Sequence, residues 1–304
     1  MFGTETFSCG TIDPTLTLHL LSLFKWTNHR NLNTLRYSII VCLLTLNLAY
    51  PASNDPMVKT QILPLSSEVT AGARVEIAIL FTMEDQWHTY WKNPGDAGLS
   101  TSFEWSVPEG FTLIQRQEPV PSRHVEEGIT TLIHEEEAIY VFTFLAPAVL
   151  PDTGSFQVHV DWLECNSICQ TGSSSLQLAF PFPRASSPLS DLREKAMSQF
   201  PVPLTQELWR AELKKGYIEL NSLVPRSKDR KLLSAQFFPY EEMVFDLGKA
   251  TRVKRRFRYD SIHIYLSALE TGKLQSLHGI LSSRYETLEG PILINHIINQ
   301  PIIP

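Results

Sequence analysis

Cysteine is scarce in this chain of 304 residues: there are four, and two of them, Cys9 and Cys42, fall in the first 52 residues. That count excludes a small scaffold held together by many disulfides. Other absences narrow the field further. No G-x-S-x-G stretch supports a hydrolase of the nucleophile-elbow type. No Gly-rich loop is built to cradle phosphate, and no H-x-x-x-H pair supplies half of a zinc site. Positive charge is also short, with 26 Lys and Arg against 32 Asp and Glu and a net charge of −6. Nothing global therefore favours nucleic acid or an anionic membrane as a partner. No internal repeat is clear.

What is present begins with an apparent targeting segment. Arg30 and Arg36 precede "YSIIVCLLTLNLAYPA", an apolar run followed by small residues at Ala49 and Ala52. A basic region, a short apolar run and a small-residue cleavage site describe a secretory signal, and the run is short of the roughly 20 apolar residues of a membrane span. Cys42 follows Ile40 and Val41, which does not fit a lipoprotein site. The 29 residues ahead of Arg30 fit a start site placed too far upstream, with an uncleaved N-terminal anchor as the competing reading. Residues 1–52 are thus expected to be a leader, and the remainder to work in the periplasm with Cys165 and Cys169 as its cysteines.

From about Val58 the apolar pattern has period two. Val75, Ile77, Ile79, Phe81 and Met83 share one face of "RVEIAILFTM". Phe156, Val158, Val160 and Trp162 do the same in "SFQVHVDW", as do Leu176, Leu178, Phe180 and Phe182 in "SLQLAFPF". Such alternation marks half-buried antiparallel strands. Turn signals between them, at "NPGDAG", "VPEG" and "LPDTG", complete the pattern of a β-sandwich. A Pro- and Ser-rich break at "FPFPRASSPLSD" marks a boundary. The expected fold class is all-β: a sandwich over 53–184, then a second, smaller β domain over 190–290. "DLREKAMSQF" and "TQELWRAEL" read as short helices. "PILINHIINQPIIP", the tail over 291–304, is neither a membrane span nor an obvious strand.

The cysteine pair lies in "DWLECNSICQTG" as C-x-x-x-C. As a staple it is weak, because closing a loop of about five residues contributes roughly 2 kcal/mol, against nearly 5 for a loop of about 100. A structural zinc site wants four Cys or His ligands, and the nearest histidine, His159, is six residues upstream. A copper ion on two thiolates is a further reading, since soft Cu(I) suits sulfur. The remaining one is a cycling dithiol, in which the second sulfur quickly resolves a mixed disulfide formed by the first. Asp161 and Glu164 are acidic, and no Lys or Arg lies within ten residues of either cysteine. Acidic neighbours disfavour thiolate, which suits a reductant better than a strong oxidant.

Three segments, "DQWHTYWKNPGDAGLSTSFEW", "IYVFTFLAP" and "VHVDWLECNSIC", fall in order between residues 85 and 169. Together they resemble the N-terminal periplasmic domain of DsbD-type thiol:disulfide interchange proteins, closest to the ScsB-like copper-sensitivity suppressor branch. The resemblance implies an immunoglobulin-like sandwich and a redox role that needs no cofactor or metal. It implies electrons received from a membrane-embedded DsbD-like module and passed to periplasmic thioredoxin-fold proteins, such as disulfide isomerases or cytochrome c maturation thioredoxins. Cys169 would make the mixed disulfide and Cys165 would resolve it. It also implies a cap over the cysteines, formed by the loop aligned with "WHTYWKNPGD". Trp87, His88, Tyr90 and Trp91 are the cap candidates, though Trp87 and Trp91 read better as core aromatics. Two departures stand out: "CQTGSS" lacks the proline that commonly follows the second family cysteine, and the family's membrane and thioredoxin-like domains do not follow. The chain is therefore expected to be a standalone partner, one piece of a split system, or the front of a truncated gene.

The run "KATRVKRRFRYD", with six basic residues from Lys249 to Arg258, reads as a solvated edge strand, or less readily as a docking patch. Glu126–Glu127 and Glu135–Glu137 read as solvated loop or strand ends. Two rivals to thiol exchange remain at this stage: a binding module with an inert disulfide, and a copper-handling protein.

Overall fold

The structure is a computed structural model that describes residues 56–303 except 67, 183–188, 205–207, 256–257 and 268–273. The expected leader lies outside the described residues. No helix among the described residues is long and apolar enough to cross a membrane.

The first part is a sandwich of two sheets. One sheet has the order β1(Val58–Pro64)–β2(Arg74–Met83)–β8(Glu137–Leu145)–β5(Thr112–Gln117). The other has the order β10(Cys169–Phe180)–β9(Gly154–Cys165)–β3(His88–Gly95)–β7(Ile129–Glu135)–β6(Ser122–Glu126), with β4(Ser102–Ser106) also on β9. The period-two residues do what their spacing predicts. Val75, Ile77, Ile79 and Phe81 of β2 meet Phe156, Val158, Val160 and Trp162 of β9 in one core, together with Tyr140, Phe142 and Phe144. The opposite face of the first sheet is covered by the helix α1(Leu189–Gln199), where Ala78, Ile139 and Val141 pack against Ala196 and Phe200. "DLREKAMSQF" is thus a helix, as expected.

The segment expected to be a loop, "WHTYWKNPGD", is instead mostly strand β3. It pairs with β9 only at His88↔Cys165 and Thr89↔Glu164. β4 then takes over β9 from Ser102↔Asp161 to Ser106↔Gln157. On its other side β3 pairs with β7 at His88–Tyr90 and again at Gly95↔Thr131, so Trp91–Pro94 leave the ladder.

The second part is one eight-stranded sheet, β14(Arg230–Pro239)–β17(Ser276–Thr287)–β18(Gly290–Ile303)–β12(Trp209–Lys214)–β13(Tyr217–Ser222)–β16(Asp260–Tyr265)–β15(Arg252–Arg255), with β11(Val202–Pro203) alongside β18. Its core joins Trp209, Ala211, Ile218, Leu220, Phe237, Ile262 and Ile298. Two expectations are corrected here. "TQELWRAEL" extends over residues outside the described ones, but its part from Trp209 is not helical: Trp209 and Ala211 are buried while Arg210 between them is exposed, and that alternation pairs β12 with β13. Residues 291–303, expected as a tail, belong to β18, which pairs with β17 over twelve positions. Asn295, His296, Asn299 and Gln300 interrupt both of its faces and only Ile298 is buried, so it shows no alternation to read. The basic run does supply an edge strand, since β15 pairs with β16 alone.

Candidate functional site

The cysteines close a hairpin. β9 and β10 run through twelve register pairs, and the last pair is Cys165↔Cys169, joined by a disulfide with Cα atoms 4.2 Å apart. Asn166, Ser167 and Ile168 make the turn. Asn166 N donates to the Ile168 carbonyl at 2.9 Å, and Asn166 Oδ1 accepts from Ile168 N at 3.0 Å and from Ser167 Oγ at 3.2 Å. With the ladder already holding these strands together, the cross-link restrains little that is not restrained without it.

The two cysteines sit in different surroundings. Cys165 is 2% exposed, in a cluster with Tyr90, Ile133 and Leu163, whereas Cys169 is exposed. Beside Cys169, Ile168 is an apolar side chain at 63% exposure. The cover over Cys165 comes mainly from β3. His88 is its register partner, and such partners share a sheet face. The His88 ring packs edge-on to Tyr90 at 5.3 Å and lies 5.6 Å from the ring of His124 on β6. His124 Nε2 in turn lies 3.7 Å from Glu126 Oε2. Burial, reinforced by His124 and partly opposed by Glu126, holds the His88 pKa below its ordinary value. Burial and then Glu126 push the Tyr90 hydroxyl up. Both groups are therefore uncharged near neutral pH, and the cover over Cys165 is a low-polarity one.

Glu164, next to Cys165 in the chain, is tied into the fold by four donors. It is fully buried on the inner face of β9. Its carboxylate accepts from Met57 N (2.9 Å), Val58 N (3.1 Å), Trp162 Nε1 (2.7 Å) and Gln170 Nε2 (2.6 Å). It thereby ties β1 of one sheet to β9 and β10 of the other, directly behind the cysteines. The indole reaches it because Gly172 lies opposite: a β-carbon there would sit 2.2 Å from the Trp162 ring. Asp161 is exposed and paired with His159 at 3.3 Å. It lies four positions along β9 from Cys165, on the order of 13 Å away. The structure does not bring it to the disulfide.

The four cap candidates separate. His88 and Tyr90 lie with Cys165; Trp87 joins the main sandwich core. Trp91 is fully buried elsewhere, among Leu132, Phe238 and Ile280. His124, Glu126 and Ile133 were missed by sequence reasoning. The "RHVEEG" turn signal announces a hairpin, but nothing local says that this hairpin meets β3 beside the cysteines. Among the described residues, no group of three or more His, Cys, Asp or Glu is arranged to hold a metal ion.

Residues 54–181 match the family model "Thiol:disulfide interchange protein DsbD, N-terminal". That span contains the sandwich, both cysteines and the residues that cover them. Residues 54–181 are a DsbD-type N-terminal domain. The comparison with curated proteins gives no match. Among solved structures, the chain is similar to the N-terminal periplasmic domain of ScsB from Proteus mirabilis, with TM-score 0.58 and 17% identity over 83% of this chain and 97% of that one. That likeness reaches beyond the DsbD-type domain into the second sheet, and it shows a shared fold. The reduced N-terminal domain of DsbD from Neisseria meningitidis also matches, with TM-score 0.28 and 10% identity, covering 46% of this chain and 94% of that one. The DsbD-type domain thus carries its disulfide within a family of thiol:disulfide interchange.

Proposed function

We propose that Cys165 and Cys169 form a redox-active pair in the periplasm, relaying electrons from a membrane-embedded reductase module to thioredoxin-fold proteins. The observation that carries this reading is the asymmetry of the pair, one cysteine exposed and the other 2% exposed under Tyr90. An inert cross-link has no use for it; an exchange reaction does.

In the charging step, a thiolate of the donor attacks Cys169 Sγ, the exposed side of the disulfide. The S–S bond breaks and Cys165 leaves with the electron pair and takes up a proton. The donor's second thiol, deprotonated, then attacks its own sulfur in the mixed disulfide. This closes the donor's disulfide and frees Cys169 as a thiolate, so two electrons and one proton have moved to the pair. Discharge runs the other way. The Cys169 thiolate attacks a partner disulfide, and Cys165, deprotonated in its turn, attacks Cys169 Sγ to release the reduced partner. Buried surroundings favour the neutral thiol at Cys165 between these steps, so the reduced pair is stored under its cover. Cytochrome c maturation thioredoxins and disulfide isomerases are the partner classes this reading names.

The test is capture in cells. With Cys165 replaced by Ala, Cys169 should hold a thioredoxin-fold partner as a stable mixed disulfide that reducing agent releases. Normal export and folding of that variant with no captured partner would count against the relay.

A further inference from the structure

The strands that cover Cys165 are held from behind by the second β domain. Trp91–Pro94 leave the β3–β7 ladder directly after Tyr90, and the side chains so released go to the loop after β14. Asn93 Nδ2 donates to the carbonyls of Pro239 at 2.9 Å and Glu241 at 3.0 Å, and Asn93 is 1% exposed. Lys92 Nζ lies 3.3 Å from the centroid of the Tyr240 ring, and the Trp91 ring is 5.6 Å from the same ring. The second covering strand is gripped in the same way. Arg123, next to His124 on β6, donates from Nε (3.1 Å) and Nη2 (2.8 Å) to the Leu247 carbonyl. A strand bulge that expels four residues is costly unless they gain elsewhere, and here they gain buried hydrogen bonds and ring contacts.

We infer that the second β domain sets how tightly Cys165 is covered, with Asn93 and Arg123 as positioning residues that act through β3 and β6. The inference rests on the reading of Cys165–Cys169 as an exchange pair. The Gln199 side chain at the end of α1 bonds instead to β8, its Oε1 accepting from Ile139 N at 3.0 Å, so its removal leaves the Asn93 and Arg123 hydrogen bonds in place. That removal provides the control.

The experiment uses forms of the chain that keep one cysteine of the pair and reads iodoacetamide alkylation at that residue by mass spectrometry under native conditions. In the Cys169→Ala background, Asn93→Ala and Arg123→Ala should each raise the Cys165 alkylation rate by about tenfold, the effect of losing about one net buried hydrogen bond from the closed state. Arg123→Lys, which keeps a charge but loses the fork, should fall between wild type and Arg123→Ala. In the Cys165→Ala background the Cys169 rate should stay the same. Unchanged Cys165 rates in both Asn93→Ala and Arg123→Ala, or an equal rise in Gln199→Ala, would overturn the inference. Failure of the partner capture described above would leave these rates standing, so the two claims fail separately.

Discussion

The Tyr90 ring occupies the space in which a β-carbon at Gly98 would sit, 2.2 Å from the nearest ring atom, and Gly98 has a φ of +109°. The loop after β3 therefore lies directly on the residue that covers Cys165. Gly98→Ala should destabilise the fold by about 1–3 kcal/mol through backbone strain and displacement of the ring. It should also speed reduction of the disulfide by small thiols. Denaturant melts and a dithiothreitol time course on the same protein check both parts.

The sulfurs should react unequally. In single-cysteine proteins, Cys169 should be alkylated at least about tenfold faster than Cys165, because only open forms expose a buried thiol to reagent. Mass spectrometry of timed iodoacetamide samples reads the ratio. Similar rates would remove the asymmetry on which the relay rests.

Glu164→Ala should be among the most destabilising single changes in the sandwich. It strands the buried donors of Val58 and Trp162 and removes the tie between β1 and the cysteine hairpin. A loss of about 3 kcal/mol or more is expected, since each buried donor left unsatisfied costs about 1–3 kcal/mol. Glu164→Gln keeps the shape but turns an acceptor toward donors as a second donor, so it should recover only part of that loss. Urea unfolding of the three proteins checks the order.

His134 makes the fold acid-sensitive. Its ring is buried against Tyr140, and burial, with Arg116 contributing, depresses its pKa to about 3. The unfolded chain takes up that proton near pH 6.5 and the folded one does not. The stability this group contributes is thus fully present above pH 6.5 and declines as pH falls toward 3. Between pH 7 and pH 5 the loss should be about 2 kcal/mol. His134→Leu should flatten that part of the profile, and unfolding free energies at several pH values will show whether it does.

Much of this was legible before any coordinates. β2 is the alternating stretch "RVEIAILFTM" residue for residue, because one of its faces is core and the pattern states it. The kinship with thiol:disulfide interchange proteins was legible too, in three ordered segments around a cysteine pair. β18 was not, because Asn295, His296, Asn299 and Gln300 interrupt both of its faces and leave no period. β12 was not, because Trp209 to Lys214 is too short for six residues to separate helix from strand. Within the site, "WHTYWKN" announced itself as special without saying how its parts divide. His88 and Tyr90 lie with Cys165, Trp87 in the sandwich core, and Trp91 to Asn93 against the second domain. That division depends on a bulge and on strands far apart in sequence. The same holds for Glu164, whose place beside Cys165 was plain while its bonds to Met57 and Val58 were not.

The central claim is that this disulfide exchanges electrons, and its reduction potential tests that most directly. Equilibrated in graded glutathione and dithiothreitol buffers, the wild-type pair should be half reduced between about −300 and −180 mV, the range of working thiol:disulfide relays. A pair that stays oxidised to below about −300 mV is a structural cross-link, and a potential near −120 mV belongs to a strong oxidant. Either result would contradict the account.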